Sequence, residues 1–482
     1  MTLPENATKV LFVASEMATL AKTGGLADVV RDLSEVLPEQ GIDCRVILPF
    51  YNQIPQEIRE KAIPIRQTYV HFAGEDVYCG LRKLEHDGVI CYFVDNEFYF
   101  FREGNIYGHN DDMKRFAFFS RAVVSLLQDL DGWSPDVINC HDWQTSLIPL
   151  YKHWFCGKLP EYSRVKTLFT IHNIAFQGEW GDPGILFSDL SLPQDVFDNG
   201  IIKMRDCINM LKAGIVMADK VNTVSENYAN ELGNDYFAKG LASVINEYRY
   251  KFFGILNGLG IDICNPTKLP KPFSHSDLAN KAYYKKTLQE QLGLTVDSRR
   301  AVLGFVARLE DQKGCNLVLD RIHELLKADI QVVVLGTGKP HYEEQFRNIQ
   351  GYGGQFVAHI GFDAKLADLI YAGADMFLMP SNDEPCGLAQ MMSMKCGTVP
   401  IVRKTGGLAD TVWEESDGTG RGFTFGNFDS EDMINAIYRA LEVFYDQKEQ
   451  WAKIMTNGMT ADFSWDTSAK TYATVYNELI AD

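Results

Sequence analysis

The chain has 482 residues and a formal net charge of −18. A chain of this length is too long to fold around one ordinary hydrophobic core, so two domains are predicted. So large a negative charge argues against nucleic acid or an anionic membrane as a partner, because both require a basic face. The ten cysteines show no C-x-x-C pair and no metal-ligand spacing, and no apolar run approaches the roughly 20 residues that span a bilayer. We therefore expect reduced thiols, no membrane contact and a cytoplasmic location.

The first half of the chain alternates between short apolar strands and amphipathic helices. Strands are predicted at 10–15, 44–48, 137–140, 165–170 and 220–223, helices at 26–37 and 116–127, strands of a hairpin-like insertion around 69–82 and 89–94, and an aromatic loop at 98–101. Three strands end in polar residues, which are His141-Asp142, His172-Asn173 and Ser225-Glu226. Because the carboxyl ends of parallel strands meet at one edge of a sheet, these residues predict a binding crevice there.

The second half repeats this alternation after a cluster of glycine and proline residues that marks a domain boundary. Its strands are predicted at 301–307, 330–335, 376–379 and 399–402, followed by an amphipathic helix at 463–479. We predict an α/β protein with an N-terminal domain over 1–258, a C-terminal domain over 259–460, and a helix over 461–482 that returns to the N-terminal domain. The glycines at 258–260 are the predicted hinge for closure of the two domains on a ligand.

One heptapeptide, Lys-Thr-Gly-Gly-Leu-Ala-Asp, occurs at 22–28 and again at 404–410. Each copy follows an apolar strand and precedes a helix, so each lies where α/β proteins bind ligands. The paired glycines allow the backbone to approach a ligand, the first turn of the helix offers unpaired N–H groups to an anion, and the lysine adds a positive charge. The repetition predicts one phosphate-bearing ligand shared by two doubly wound halves.

Two further loops of the second half carry residues suited to a sugar diphosphate. Arg308 and Lys313 follow one strand, and both are cations that bind phosphate oxygens. Glu384 follows a later strand and could accept hydrogen bonds from sugar hydroxyls, while Gly387 and Leu388 offer backbone N–H groups. Each of these residues also has an ordinary structural interpretation, because surface cations are usually solvated and an acid before a helix can be a cap.

Taken together, the motifs resemble one family over nearly the whole chain. They are Ser15-Glu16 with the first heptapeptide, Arg115-Phe116-Ala117-Phe118-Phe119, His141-Asp142-Trp143, His172-Asn173-Ile174-Ala175, Leu256-Asn257-Gly258, Arg308 with Gln312-Lys313-Gly314, Glu384-Pro385-Cys386-Gly387-Leu388 and the second heptapeptide. This combination looks like the bacterial glycogen synthases and plant starch synthases, which are retaining glucosyltransferases. The resemblance implies the GT-B fold, in which two Rossmann-like doubly wound domains face each other across a deep cleft.

The same resemblance implies transfer of glucose from ADP-glucose to the nonreducing 4-hydroxyl of an α-1,4-glucan, such as glycogen or malto-oligosaccharides. The catalytic residues that it implies are Asp28, His172, Arg308, Lys313 and Glu384. The substrate-binding residues that it implies are Lys22, Gly24, Gly25, Tyr107, Asp142, Asn173, Asn257, Gly387, Leu388, Thr405 and Gly406. By this analogy the two cations neutralise the leaving diphosphate, and Tyr107 lies on the glucan path. No metal and no cofactor are expected.

Two positions depart from the family pattern. Wider retaining families of this fold carry a second glutamate eight residues after the first, where this chain has Met392, and Phe362 stands near the place where a tyrosine often stacks on adenine. The sequence is compatible with ADP-glucose or UDP-glucose as the donor and with glycogen or a starch-like polymer as the product.

Retention of configuration requires either a carboxylate nucleophile or attack on the same face as the leaving group. Same-face attack is favoured, because no pair of carboxylates stands out as nucleophile and acid, and a diphosphate leaves without a proton from an acid.

Three alternative functions are disfavoured. A dehydrogenase is disfavoured because neither half contains the motif G-x-G-x-x-G, and a phosphorylase is disfavoured because no lysine stands out as a site for pyridoxal phosphate. A catalytically inactive glucan-binding scaffold is disfavoured because binding glucan alone requires no diphosphate site. Asp129-Leu130-Asp131 has the spelling of a metal motif but lies at a helix end, where we expect a structural role.

Overall fold

The structure is a computed structural model that describes residues 4, 6–182, 184–260, 263–414 and 418–481. The described chain divides into two compact units. The first contains the residues up to Val224, the segment Ala229–Gly258 and the C-terminal segment from Trp465, and the second contains Ser225–Tyr228 and Leu259–Ser464. The residues 225–228 thus group with the second unit, although they fall inside the predicted N-terminal domain.

The first unit is built on a large, mostly parallel sheet. Its strands within the described residues are β1 Thr8–Val13, β2 Ile42–Pro49, β3 Ile63–Phe72, β4 Glu75–His86, β5 Val89–Asp95, β6 Val137–His141, β7 Lys166–Ile171, β8 Glu179–Trp180, β9 Lys203–Met204, β10 Cys207–Asn209, β11 Lys220–Thr223 and β12 Phe252–Gly254. Nine of them pair in the order β12-β11-β7-β6-β1-β2-β5-β4-β3, with antiparallel pairing only at β5-β4-β3 in this sheet. β1 and β6 are almost continuously buried, as parallel strands covered on both faces must be.

Helices flank this sheet. Within the described residues of the first half they are α1 Gly25–Val36, α2 Gln56–Arg59, α3 Glu97–Phe100, α4 Asp112–Leu126, α5 Ile148–Tyr151, α6 Pro160–Ser163, α7 Ile185–Leu190, α8 Gln194–Asp198, α9 Met210–Met217, α10 Glu226–Glu231, α11 Asp235–Ala238 and α12 Ala242–Glu247. In α1 the buried residues Leu26, Val29, Val30 and Leu33 recur at spacings of three and four, so they form one apolar face.

Three predictions for the first unit are wrong in detail. The stretch 69–82 contains a turn at Ala73 and Gly74, both with positive φ, which separates β3 from β4. β5 does not belong to an insertion, because it pairs in parallel with β2. The predicted aromatic loop contains α3, whose N-terminus is capped by Asn96 Oδ1 accepting from the N–H of Tyr99 at 2.9 Å.

The second unit has a six-stranded parallel sheet. Its described elements are β13 Ala301–Val306, β14 Ile330–Gly336, β15 Phe356–Ile360, β16 Met376–Met379, β17 Val399–Arg403 and β18 Phe423–Phe425, with α13 Ala279–Gln291, α14 Cys315–Leu325, α15 Pro340–Arg347, α16 Ala364–Gly373, α17 Ala389–Lys395, α18 Gly406–Thr411, α19 Ser430–Asp446 and α20 Lys448–Thr460. The strands pair in the order β15-β14-β13-β16-β17-β18. This is a doubly wound sheet that starts at its centre and grows to both sides.

The last helix, α21 Trp465–Ala481, is fixed to the first unit by buried polar groups. Tyr476 donates to Asn139 Oδ1 at 2.7 Å, and Asn139 Nδ2 donates to Thr170 Oγ1 at 2.8 Å. Thr170 in turn donates to Asn222 Oδ1 at 2.7 Å, and Asn222 Nδ2 donates to the hydroxyl of Tyr472 at 3.0 Å. The chain of hydrogen bonds thus leaves α21, crosses β6, β7 and β11, and returns to α21.

We expect Thr170→Val to lower the free energy of unfolding by about 2 kcal/mol, because the isosteric change leaves one buried donor and one buried acceptor unpaired. Thr471→Val is the matched control, since Thr471 is exposed and bonds only within its own helix in the described structure. Thermal denaturation followed by circular dichroism measures both. Equal unfolding temperatures for the two variants would contradict the proposed importance of the buried chain.

Candidate active site

In each unit the strand order reverses between two central neighbours, and the predicted site residues follow these strands. In the first unit they are β1 and β6, which lead to the first heptapeptide and to His141-Asp142. In the second unit they are β13 and β16, which lead to Arg308 with Lys313 and to Glu384. Ligands of doubly wound sheets bind outside the carboxyl ends of such strands, so each unit presents its polar loops at its switch point.

The first heptapeptide is held by Glu16, which lies three residues beyond the end of β1. The Glu16 carboxylate accepts hydrogen bonds from the N–H groups of Thr23 and Gly24, the latter at 2.9 Å. These two N–H groups precede the first turn of α1, which begins at Gly25, and both are paired with the Glu16 carboxylate. A side chain at Gly24 or Gly25 would meet no atom within 4 Å. The glycines thus face open space.

Glu16 is itself fixed by Tyr107. The Tyr107 hydroxyl donates to Glu16 Oε1 at 2.7 Å and lies 2.7 Å from Ser15 Oγ. Burial raises the pKa of Tyr107 well above its usual range, so the hydroxyl remains a donor. Lys22 and Asp28, at the two ends of the heptapeptide, form an ion pair of 2.7 Å at the surface. The structure therefore places Tyr107 as a support beneath the loop.

Two neutral histidines and a buried carboxyl group follow β6 and β7. His141 Nδ1 and His172 Nε2 are 3.0 Å apart. Burial lowers the pKa of His172 to about 3, and burial together with His172 lowers the pKa of His141 well below its usual value, so both rings are uncharged at neutral pH. Asp142 accepts from the N–H of His172 at 2.7 Å and from the N–H of Asn173, and burial raises its pKa to about 7.

The second unit brings a cation and a carboxylate together beside a cavity. Lys313 Nζ donates to Glu384 Oε2 at 2.6 Å, and Ser381 Oγ donates to the same oxygen at 3.0 Å. These three residues, with Gly387 and Leu388, are among those that line a cavity of about 130 Å³. Four of the predicted site residues therefore meet at the ends of β13 and β16.

The second heptapeptide is packed rather than open. The N–H of Gly407 donates to the carbonyl of Glu384 at 3.1 Å. A methyl group on Gly406, where φ is 45°, would lie 1.8 Å from the same carbonyl oxygen. Thr405 is fully buried. The loop therefore supports the Glu384 segment from behind, and among the described residues Arg308, Thr405 and Gly406 do not line the cavity.

Two further predicted site residues, Arg308 and Asn257, differ from each other in burial. Arg308 is mostly exposed and lies 3.3 Å from Glu310. Asn257 is buried, and its Oδ1 has no hydrogen-bond partner among the described residues.

Comparisons with known proteins give a consistent result. A family model described as the starch synthase catalytic domain matches residues 9–247, and one described as glycosyl transferases group 1 matches residues 300–443. A glycogen synthase of Desulfitobacterium hafniense is 42% identical over 475 residues, which cover 98% of this chain and 99% of the relative. A glycogen synthase of Streptococcus uberis is 43% identical over 481 residues, with 98% and 99% coverage. The chain belongs to the glycogen synthase and starch synthase family.

Solved structures agree with this family assignment. The catalytic domain of starch synthase IV from Arabidopsis thaliana, bound to ADP and acarbose, has a TM-score of 0.87 and 33% identity, and the match covers 99% of this chain and 100% of that one. A sucrose-phosphate synthase from Thermosynechococcus elongatus has a TM-score of 0.61 at 17% identity, covers 98% of this chain and 99% of that one, and supports the fold alone. The fold is therefore the GT-B fold of two Rossmann-like domains, and the protein is a glucan-elongating glycosyltransferase.

The structure of this family member also locates the remaining sequence features. Asp129 forms an ion pair with Arg66 at 3.5 Å and Asp131 one with Lys83 at 2.6 Å, so each carboxylate of that motif has a cation as its partner. Phe362 is 92% exposed. No group of three metal-binding side chains and no helix long and apolar enough to cross a membrane occurs in the described part of the chain.

Sequence reasoning missed one residue of the site, Ser381, and named Glu16 and His141 only as parts of motifs, without a role of their own. Glu16, His141 and Ser381 each contact a predicted residue: Thr23 and Gly24, His172, and Glu384 respectively. Their position in the sequence was the signal that could have identified Glu16 and His141, because both lie at or shortly beyond the ends of strands that are followed by predicted site residues.

The two heptapeptides provide a matched pair of glycine substitutions. Gly406→Ala should lower the free energy of unfolding by about 2 to 4 kcal/mol, because a methyl group collides with the Glu384 carbonyl at a positive φ. Gly24→Ala should lower the free energy of unfolding by only about 0.5 kcal/mol. It should nevertheless slow glucosyl transfer, because the added methyl group narrows the space through which a ligand approaches the loop. Thermal unfolding and a transfer assay distinguish them. A Gly24→Ala protein as unstable as Gly406→Ala would contradict the open environment of the first loop.

Asp142→Asn should change the pH dependence of stability. The folded pKa of about 7 exceeds the usual value, so the folded protein keeps a proton that the unfolded chain releases, and this contribution to stability is lost as pH rises from 4 through 7. Relative to wild type, the variant should therefore gain in unfolding temperature between pH 5 and 8. Asp131→Asn is the control: Lys83 lowers the pKa of Asp131, so this carboxylate is ionised in the folded and the unfolded protein above pH 5, and the difference between this variant and wild type should not vary between pH 5 and 8. A difference between Asp142→Asn and wild type that does not vary with pH would contradict the raised pKa.

Proposed function

We propose that the protein transfers glucose from ADP-glucose to the nonreducing end of an α-1,4-glucan, with retention of configuration, in the cytoplasm and without a metal or cofactor. The observation that carries the proposal is the cavity lined by Lys313, Glu384, Gly387 and Leu388. A nucleotide sugar presents a diphosphate next to several hydroxyl groups. A cation beside a buried carboxylate, with two backbone amides at the start of a helix, matches both parts of that ligand.

The donor diphosphate is assigned to the second unit. Lys313 is bound to Glu384 in the structure, so an arriving phosphate competes for the ammonium group and leaves the carboxylate free to accept from glucosyl hydroxyls. Arg308 is largely exposed beyond β13 and offers a planar fork to phosphate oxygens. The solved starch synthase IV is bound to ADP, which supports the adenosine nucleotide over UDP. Exposed Phe362 is the candidate surface for the base.

The glucosyl group is assigned to the polar strand ends of the first unit. His172 is neutral, so it can hydrogen bond a hydroxyl without repelling positive charge that develops at the anomeric carbon. Asp142 is occupied by the N–H groups of His172 and Asn173, which leaves it poorly placed to act as a nucleophile. These features favour attack on the face of the leaving group, with the diphosphate accepting the proton of the acceptor hydroxyl.

The proposal is tested with the purified full chain, glycogen or malto-oligosaccharides, and labelled ADP-glucose or UDP-glucose, in buffer containing EDTA. We expect incorporation from ADP-glucose with a kcat/KM at least about tenfold above that for UDP-glucose, and new α-1,4 linkages in the proton NMR spectrum. Preference for UDP-glucose would overturn the donor assignment. Loss of transfer in EDTA, restored by magnesium, would overturn the absence of a metal.

Arg308→Ala and Lys313→Ala should each lower kcat by on the order of 10², because a charge-assisted contact that strengthens as the phosphate leaves stabilises the transition state by several kcal/mol. Lys327→Ala, an exposed lysine outside the cavity, is the control and should leave kcat unchanged. Circular dichroism checks that each variant is folded. A raised KM for the donor with unchanged kcat would assign the residue to ground-state binding instead.

A further inference from the structure

Two cysteine side chains meet in the second unit, at the end of α17 opposite to Gly387 and Leu388. Cys264 lies in the segment by which the chain enters this unit, and Cys396 directly follows α17. The Cys396 thiol donates to the carbonyl oxygen of Cys264 at 3.5 Å, and the two thiol groups are in hydrogen-bonding contact with each other. This contact joins residues 132 positions apart, so it arises from the fold and not from local sequence.

A buried cation lies beside the pair. The Lys281 ammonium group donates to the carbonyl of Cys396 at 2.9 Å and to Thr398 Oγ1 at 2.9 Å. It also donates to the carbonyls of Ala372 and Ala374, both at 3.1 Å. Burial lowers the pKa of Lys281 to about 8, so the group is still mostly charged at pH 7. A fixed positive charge next to a thiol favours its thiolate form.

The two thiols are electrostatically different. The hydrogen bond from Cys264 and the charge of Lys281 lower the pKa of Cys396. The pKa of Cys264 is raised by its hydrogen bond to Cys396, by burial, and by Asp368, whose Oδ1 lies 3.8 Å from its sulfur. Cys396 is thus the better nucleophile and Cys264 the protonated partner, which is the arrangement of an attacking and a resolving cysteine.

The pair is not fully enclosed. Cys396 is only 2% exposed, whereas Cys264 is partly exposed. Cys264 also has a φ of 47°, a left-handed conformation that few residues other than glycine adopt and that structures retain where surrounding contacts enforce it. The pair is thus in contact with solvent through the partly exposed Cys264.

We propose that Cys264 and Cys396 form a reversible intramolecular disulfide when the protein encounters a peroxide. The Cys396 sulfur attacks one peroxide oxygen, the O–O bond breaks, and the other oxygen leaves as water after protonation, which yields a sulfenic acid. The Cys264 sulfur then attacks the Cys396 sulfur, the S–O bond breaks, and a second water leaves with the Cys264 proton. Two thiols are oxidised to one disulfide, and one peroxide is reduced to two waters.

The disulfide would tie the entry segment of the second unit to the end of α17. The glycines predicted as a hinge, at 258–260, end four residues before Cys264. A covalent bond at this place limits any movement of the segment during a catalytic cycle, so the oxidised protein should transfer glucose more slowly. This consequence rests on the proposed function, whereas the formation of the disulfide does not.

The experiment uses the full chain, reduced and then freed of reductant. The protein is treated with a slight molar excess of hydrogen peroxide, its remaining thiols are alkylated with N-ethylmaleimide, and proteolytic peptides are identified by mass spectrometry. We expect a Cys264–Cys396 cross-linked peptide about 2 Da lighter than the sum of its parts. It should disappear after dithiothreitol treatment and be absent in Cys264→Ser and Cys396→Ser, while Cys207→Ser, which removes another partly exposed cysteine, still forms it.

Glucosyl transfer provides the second readout. Peroxide should lower the rate of wild type by about threefold or more, with recovery in dithiothreitol, and this recoverable part should be missing in Cys264→Ser. Alkylation of Cys264 and Cys396 to the same extent as Cys207 after peroxide would overturn the disulfide. A disulfide with an unchanged transfer rate would overturn its effect on catalysis. Failure of the untreated protein to transfer glucose would count against the proposed function and leave the peptide result intact.

Discussion

The ion pair of Lys313 and Glu384 is the constraint on which the second unit's site depends. Both side chains are largely withdrawn from water, with 19% and 10% of their surfaces exposed, and removing one of two such partners leaves an uncompensated charge that costs several kcal/mol. The pair also joins the loop after β13 to the loop after β16. Ser381 satisfies the same carboxylate oxygen. The geometry of the cavity wall therefore follows from electrostatic compensation as much as from apolar packing.

The first unit fixes its loops by other means. Buried Arg115 donates to Asp112 and to the carbonyls of Tyr99 and Ile106, and Asp112 accepts from the N–H of Gly108 at 2.7 Å. These contacts order the segment that carries Tyr107, whose hydroxyl holds Glu16, and Glu16 holds the first heptapeptide. Identical heptapeptides thus have different surroundings: the first is supported by a carboxylate and faces open space, and the second is packed against the Glu384 segment.

The sequence predicts the positions of these loops better than their contacts. Apolar runs that end in polar residues are local signals, and they locate β1, β6, β7, β13 and β16 with the residues that follow them. The bond from Tyr107 to Glu16 spans 91 positions and that from Lys313 to Glu384 spans 71, so only the folded chain shows them. The turn at Ala73 and Gly74 is different, because Gly74 is a local turn signal with a positive φ that the strand prediction around 69–82 did not use.

A chain with a net charge of −18 must bind an anionic donor, if the proposed function holds, against its own overall field. In the described structure, the charges close to the predicted site residues differ from the net charge of the whole chain. The histidines of the first unit are neutral, and the raised pKa of Asp142 shows that burial there disfavours a further negative charge. In the second unit the Lys313 charge is compensated by Glu384 until a stronger anion arrives. A diphosphate that takes over Lys313 therefore replaces one compensated pair by another, and the energetic cost of burying a lone cation does not arise in either state.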